Sequence, residues 1–113
     1  NIGLINQRYI FALIGNSQEL EIISNYDRFR HSVPFSFKTK IWYKLKTRVD
    51  ILEDGTGIIR AKAWPKSAEE PDAWTIEIPH STPHLQGAPG IYAMSPQSKK
   101  KVYFDNLSIY YNN

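Results

Sequence analysis

The chain has no cysteine. A disulfide framework and a thiolate metal site are therefore excluded. Long apolar runs are also missing. Nothing approaches the roughly 20 residues that a helix needs to cross a bilayer. No segment holds a convincing helical period, no stretch repeats, and none is of low complexity. Excess charge of one sign is small. The formal net charge is +3 and the pI about 9.2. Without a clustered patch, so mild a basic balance does not point to nucleic acid. The common catalytic signatures are absent: no G-x-S-x-G, no P-loop and no Gly-rich dinucleotide turn. No initiating Met and no signal peptide precede Asn1. The chain is therefore expected to be the C-terminal part of a longer protein.

What is present is strand sequence. A length of 113 residues suits one domain, 1–113, around one core. A hydrophobic content of 42% is enough to fold, and an aromatic content of 13% favours strands over helices. The clearest pattern runs from Trp42 to Trp64. Tyr43, Leu45, Thr47, Val49 and Ile51 alternate with Trp42, Lys44, Lys46, Arg48 and Asp50. Ile59, Ala61 and Ala63 alternate with Arg60, Lys62 and Trp64. Between the two arms, Glu53 to Gly57 offers the glycines of a turn. This predicts a hairpin with one buried and one exposed face.

Further strands are expected on either side. Ile2 to Ile14 reads as one long buried strand that ends at Gly15-Asn16 and pairs with Leu20 to Ser24. Pro34 allows only an edge strand near Ser32 to Lys38. Ala73 to Ile78, Gly90 to Met94 and Val102 to Tyr111 read as the remaining strands, with a charged loop from Pro65 to Asp72. The predicted fold class is all-β: an antiparallel jelly-roll sandwich lacking some N-terminal strands. Its core is expected to hold Tyr43, Leu45, Val49, Ile59, Ala61, Trp74, Ile76, Leu107 and Ile109.

WYKLKTRVD, GIIRAKAWP, AWTIEIPH, GAPGIYAMSPQ and VYFDNLSIYY follow one another from Trp42 onward. In this order they resemble laminin-G-like, concanavalin-A-like sandwich domains. The nearest likeness is to the sandwich that follows quinoprotein-like β-propeller repeats in exported bacterial proteins. That resemblance implies a non-catalytic accessory domain outside the cytoplasm, in the periplasm, at the outer membrane or secreted. It also implies partners: other protein chains, or a preceding β-propeller. It does not carry over a ligand.

Four groups of residues bear on chemistry. Lys44, Lys46, Arg48, Arg60 and Lys62 share one face of the hairpin, bracketed by Trp42 and Trp64. Such a strip could hold an acidic glycan, with indole as a stacking platform. The alternative is a solvated face whose repulsion is relieved by Glu77 or Glu21. Asp105 shares parity with Tyr103, Leu107 and Ile109, so it is expected to be buried, bonded to loop amides, to an Arg or to a structural calcium, unless a strand bulge turns it outward. His80 and His84 are four residues apart, but Pro79 and Pro83 argue against the helix that would aim both at one zinc. Concanavalin-A-like glycosidases carry E-x-D-x-x-E on one strand, and this chain has no such run. No catalytic residue and no cofactor other than calcium is therefore assigned. A part of a glycoside-hydrolase-like enzyme is the remaining alternative.

Overall fold

A computed structural model describes residues 1–24, 28–94 and 101–110. The described residues form eight strands and no helix: β1 (Ile2–Asn6), β2 (Tyr9–Ile14), β3 (Glu19–Ser24), β4 (Arg30–Pro34), β5 (Tyr43–Ile51), β6 (Gly57–Pro65), β7 (Ile76–His80) and β8 (Gly90–Ala93). They make two antiparallel sheets. The larger has the order β4-β3-β2-β1-β8, and the smaller β5-β6-β7. The sheets face one another, with β1 over β5 and β4 over β7. This is a sandwich-like, all-β arrangement. No described helix is long and apolar enough to cross a membrane.

The core follows from the alternation. Tyr9, Phe11 and Leu13 of β2 and Leu20 and Ile22 of β3 point at Val49, Ile59, Ala61, Ala63 and Ile76 of the smaller sheet. Bulky side chains from one sheet meet small ones on β6, which lets the layers approach. The central hairpin has the expected register: Lys44 opposite Trp64, Lys46 opposite Lys62, Arg48 opposite Arg60. Its turn closes with Leu52 N–H on the Thr56 carbonyl and Gly55 N–H on the Leu52 carbonyl. Gly55 takes φ of 86°, which a side chain would strain. The β2–β3 hairpin and the short strand β8 also fall where the sequence pattern places them; β4 takes the expected edge position but is shifted from Ser32–Lys38 to Arg30–Pro34.

Five expectations are corrected. Ile2 to Ile14 is two strands, folded back at Gln7 and Arg8, whose φ values of 51° and 69° make a tight two-residue turn. No glycine announces it. Gly3 does mark the pairing, since a Cβ there would meet the Phe11 carbonyl oxygen at 1.8 Å. The strand expected at Ala73 to Ile78 is displaced to Ile76–His80, because Trp74 leaves the ladder to pack beside Lys62. Residues 101–110, expected in a last strand with Tyr111, belong to no strand and are exposed throughout; Tyr111 lies outside the described residues. Leu107 and Ile109, expected in the core, are 57% and 62% exposed. Of the other expected core residues, Tyr43, Leu45 and Trp74 are half-buried, because β5 ends its sheet and Trp74 sits in a loop.

Core depth sets the expected cost of truncation. Leu20→Ala, at a site with 0% exposure, should lower stability by about 2–5 kcal/mol. Leu45→Ala, at the half-covered edge, should lower it by about 1–2 kcal/mol. Urea denaturation of both variants checks the order. A larger loss at Leu45 would contradict the placement of the core.

Candidate functional site

The outer face of the β5–β6 hairpin brings together most of the residues singled out in the sequence. Trp42 lies just before β5 and is 49% exposed. Lys44, Lys46 and Arg48 are exposed along β5. Arg60, Lys62 and Trp64 lie across from them on β6. The cations are not bare. Lys46 Nζ is 3.2 Å from Glu70 Oε2, and Lys62 Nζ is 2.7 Å from the same oxygen. Arg48 Nε is 2.8 Å from Asp50 Oδ2. Arg60 reaches both Asp50 Oδ2 and Glu77 Oε2 at 2.5 Å. Glu77 therefore relieves the cross-strand repulsion as expected, through its register opposite Arg60. Glu21 instead pairs with Arg30 on the other sheet.

Lys62 and Trp64 depart from the expected exposed face. Both are buried, with Lys62 at 5% exposure. The loop between β6 and β7 folds over this end of the hairpin. It brings Glu70 to the ammonium, the Pro71 carbonyl to 2.7 Å of Nζ, and the Trp74 ring to 4.9 Å. The Trp64 ring lies 5.9 Å from Nζ. The ammonium thus lies within reach of two indoles, with a carboxylate and a carbonyl to hold it. This combination makes burial of a charge tolerable. Trp64 is buried and Trp74 half-buried, so they do not form an open stacking groove.

A second constellation was only half visible in the sequence. The Tyr9 hydroxyl, at 0% exposure, lies 2.6 Å from His80 Nδ1 and accepts the His84 backbone N–H at 3.1 Å. His84 Nε2 is 2.5 Å from Ser24 Oγ. Gln7 Nε2 donates to the His84 carbonyl at 2.5 Å. Phe29 packs edge-on to Tyr9 at 5.5 Å, with His80 at 4.3 Å and His31 at 4.8 Å from its ring. His31, remote in sequence, is thus brought near the other two by the β3–β4 pairing. Loop histidines of this kind are expected to bond the backbone, but side chains meet these rings: Tyr9 at His80 and Ser24 at His84. What this network does is mechanical. It ties the loop after β7, through both histidines, to β2 and β3. Glu and Asp residues of the described chain do not join these histidines, and no described group of three or more such side chains could hold a metal.

Asp105 is not in either place. It was expected to be buried, but it is exposed, and its Oδ1 accepts the Asn106 N–H at 2.9 Å. Its parity with Leu107 and Ile109 does not lead to burial, because residues 101–110 have no sheet to lie against. For hydrolytic chemistry, the carboxylates that converge are Asp50 and Glu77, and Arg60 occupies the gap between them. Compared with protein-family models, curated proteins and solved structures, the chain matches none.

The shared carboxylate generates a pH dependence. Glu70 is held below its ordinary value of 4.5, first by Lys62 and then by Lys46. A carboxyl depressed on folding stabilises the native state above its unfolded pKa, and the effect is lost as pH falls through the folded value. Asp54, bonded by the Thr56 hydroxyl and N–H, is lowered in the same sense. The stability gap between the native chain and Glu70→Gln should therefore be constant near neutrality and shrink below about pH 4.5. Urea titrations at a series of pH values check this. A gap that widens on acidification would contradict the assignment.

Proposed function

We propose that this chain is a non-catalytic β-sandwich module that makes protein–protein contacts outside the cytoplasm. The observation that carries the reading is a set of apolar side chains left at one open side of the sandwich. Ile41 is 47% exposed, Trp42 49%, Ile51 41% and Ile91 49%. Ile41 and Trp42 flank one end of β5 and Ile51 the other, so apolar exposure runs along a strand edge that is unpaired among the described residues, the kind of edge that pairs with another chain. Two facing antiparallel sheets support the β-sandwich; the concanavalin-A-like jelly roll rests on the resemblance. The location and a neighbouring propeller rest on the resemblance of the strand sequences alone. A photo-crosslinking residue at position 91, and as a control at position 69, tests the reading in the producing cells. A discrete protein adduct at 91 and none at 69 is expected. No adduct, or equal adducts at both, would overturn it.

One observation favours a glycan as the second reading. Trp42 presents half of its indole beside exposed Lys44, a pairing suited to an anionic sugar. On this reading, acidic oligosaccharides should quench tryptophan fluorescence saturably, and Trp42→Ala should abolish the effect. Unchanged quenching in that variant would remove Trp42 as the platform.

A further inference from the structure

The two sheets do not end together. The larger has five strands and the smaller three. Because β1 packs over β5 and β4 over β7, β8 extends one strand beyond β5. Among the described residues no strand stands in front of it. Ile91 of β8 is opposite Leu4, which is opposite Phe11. Phe11 is wholly buried between the sheets. Ile91 therefore points to the same inner side, yet it is half-exposed, with no strand of the described residues in front of it.

The vacant position lies beside β5. Lys66 N–H bonds the Trp42 carbonyl, and Leu52 N–H bonds the Thr56 carbonyl. These bonds assign the even-numbered residues of β5 to the ladder with β6. By the antiparallel alternation, Tyr43, Leu45 and Thr47 turn their N–H and C=O groups to the outer edge. Their side chains face inward and are half-covered. Such an edge, long and without a proline, is a template for another strand.

A strand that fits is present in the chain. Residues 101–110 include β-branched and aromatic side chains and are exposed, the large apolar ones from 37% at Val102 to 85% at Tyr110. Ten extended residues span about 33 Å, close to the about 30 Å of nine-residue β5. Leu107 and Ile109 share one side with Tyr103 and Asp105, and the Leu107–Ile109 half of that side would cover Ile91. Asn106 and Ser108 lie on the other side, between Phe104 and Tyr110, and would continue the polar outer face beside Lys44 and Lys46. Asn106 has φ of 54° and must become extended on pairing, a change that releases its N–H from Asp105.

The geometry points to strand exchange: residues 101–110 of one copy add to β5 of a second copy, which returns its own segment. In the free chain this segment buries none of its apolar residues against its own sandwich. Reciprocal exchange closes on itself with two-fold symmetry, leaving no open end. Two ten-residue strands with their covered side chains reach the standard interface of about 800 Å² per partner. This inference rests on the interaction reading above and names its partner.

The absence of cysteine makes the test direct. Light scattering of the full chain should give twice its 13.1 kDa. A copy with Lys46→Cys, mixed with a differently tagged copy carrying Asn106→Cys or Ser108→Cys, should form a disulfide-linked pair on mild oxidation. Leu107→Asp with Ile109→Asp alters side chains that are exposed in the free chain, so the fold should persist. The dimer dissociation constant should rise roughly 100-fold or more. A monomer at all concentrations would overturn the exchange, as would a dimer indifferent to those two substitutions. If the protein is monomeric yet residue 91 crosslinks to a different protein, the exchange fails and the interaction reading stands. If residue 91 also yields no adduct, both fail.

Discussion

The structure depends on one packing contact. The aromatic and branched side chains of β2 and β3 lie over the small residues of β6. Ala61 and Ala63 have no bulk to hold the sheets apart, so Tyr9, Phe11, Leu20 and Ile22 reach the floor of the sandwich and are fully or nearly fully buried. Each fully buried side chain of this size contributes about 1.5–3 kcal/mol by leaving water. The contact also sets orientation. A one-residue slip of β6 would aim Arg60 and Lys62 at Phe11 and Ile22, so the register of the smaller sheet has no near competitor.

Polar groups are arranged around that contact so that none is stranded. Among the described residues, every buried side-chain nitrogen and oxygen has a partner. At one place the partner is the Tyr9 hydroxyl, which receives the His84 N–H and meets His80 Nδ1. At another it is the Lys62 ammonium, near two indoles, with Glu70 and the Pro71 carbonyl. Both arrangements hold a loop against the sandwich. The loop after β7 is tied to the larger sheet, and the loop after β6 is tied to the outer face of the hairpin. The functional interest therefore moves away from the centre of the basic strip. It moves to the side where β5 and β8 end, since the strip answers its own charges and that side does not cover its own apolar groups.

Several features that the structure assembles left little trace in the chain. The turn at Gln7 and Arg8 uses left-handed backbone without Gly, Asn or Asp, so local turn chemistry could not announce it. What holds it is distant: Gln7 reaches the His84 carbonyl, and Gly87 comes so close that a Cβ there would lie 2.9 Å from the Arg8 nitrogen. Lys62 has the parity of an exposed residue and is buried because a loop eight residues further along folds over it. His31 joins His80 and His84 around Phe29 through strand pairing, at a sequence separation that no spacing rule covers.

What the sequence by itself determined is the local alternation: that this is a strand protein, and that the hairpin from Trp42 to Trp64 buries Val49, Ile59 and Ala61 and shows Lys44 to water. Period two is a property of the extended backbone, and it can be read wherever one face is apolar. Only the tertiary structure decided which alternating segments find a neighbour. Residues 101–110 also read as strand sequence, yet they stand free, with Asp105, Leu107 and Ile109 in solvent. Alternation states which side of a strand would be covered. Whether a hydrogen-bonding edge lies within reach to cover it depends on how the two sheets are placed and where each one ends.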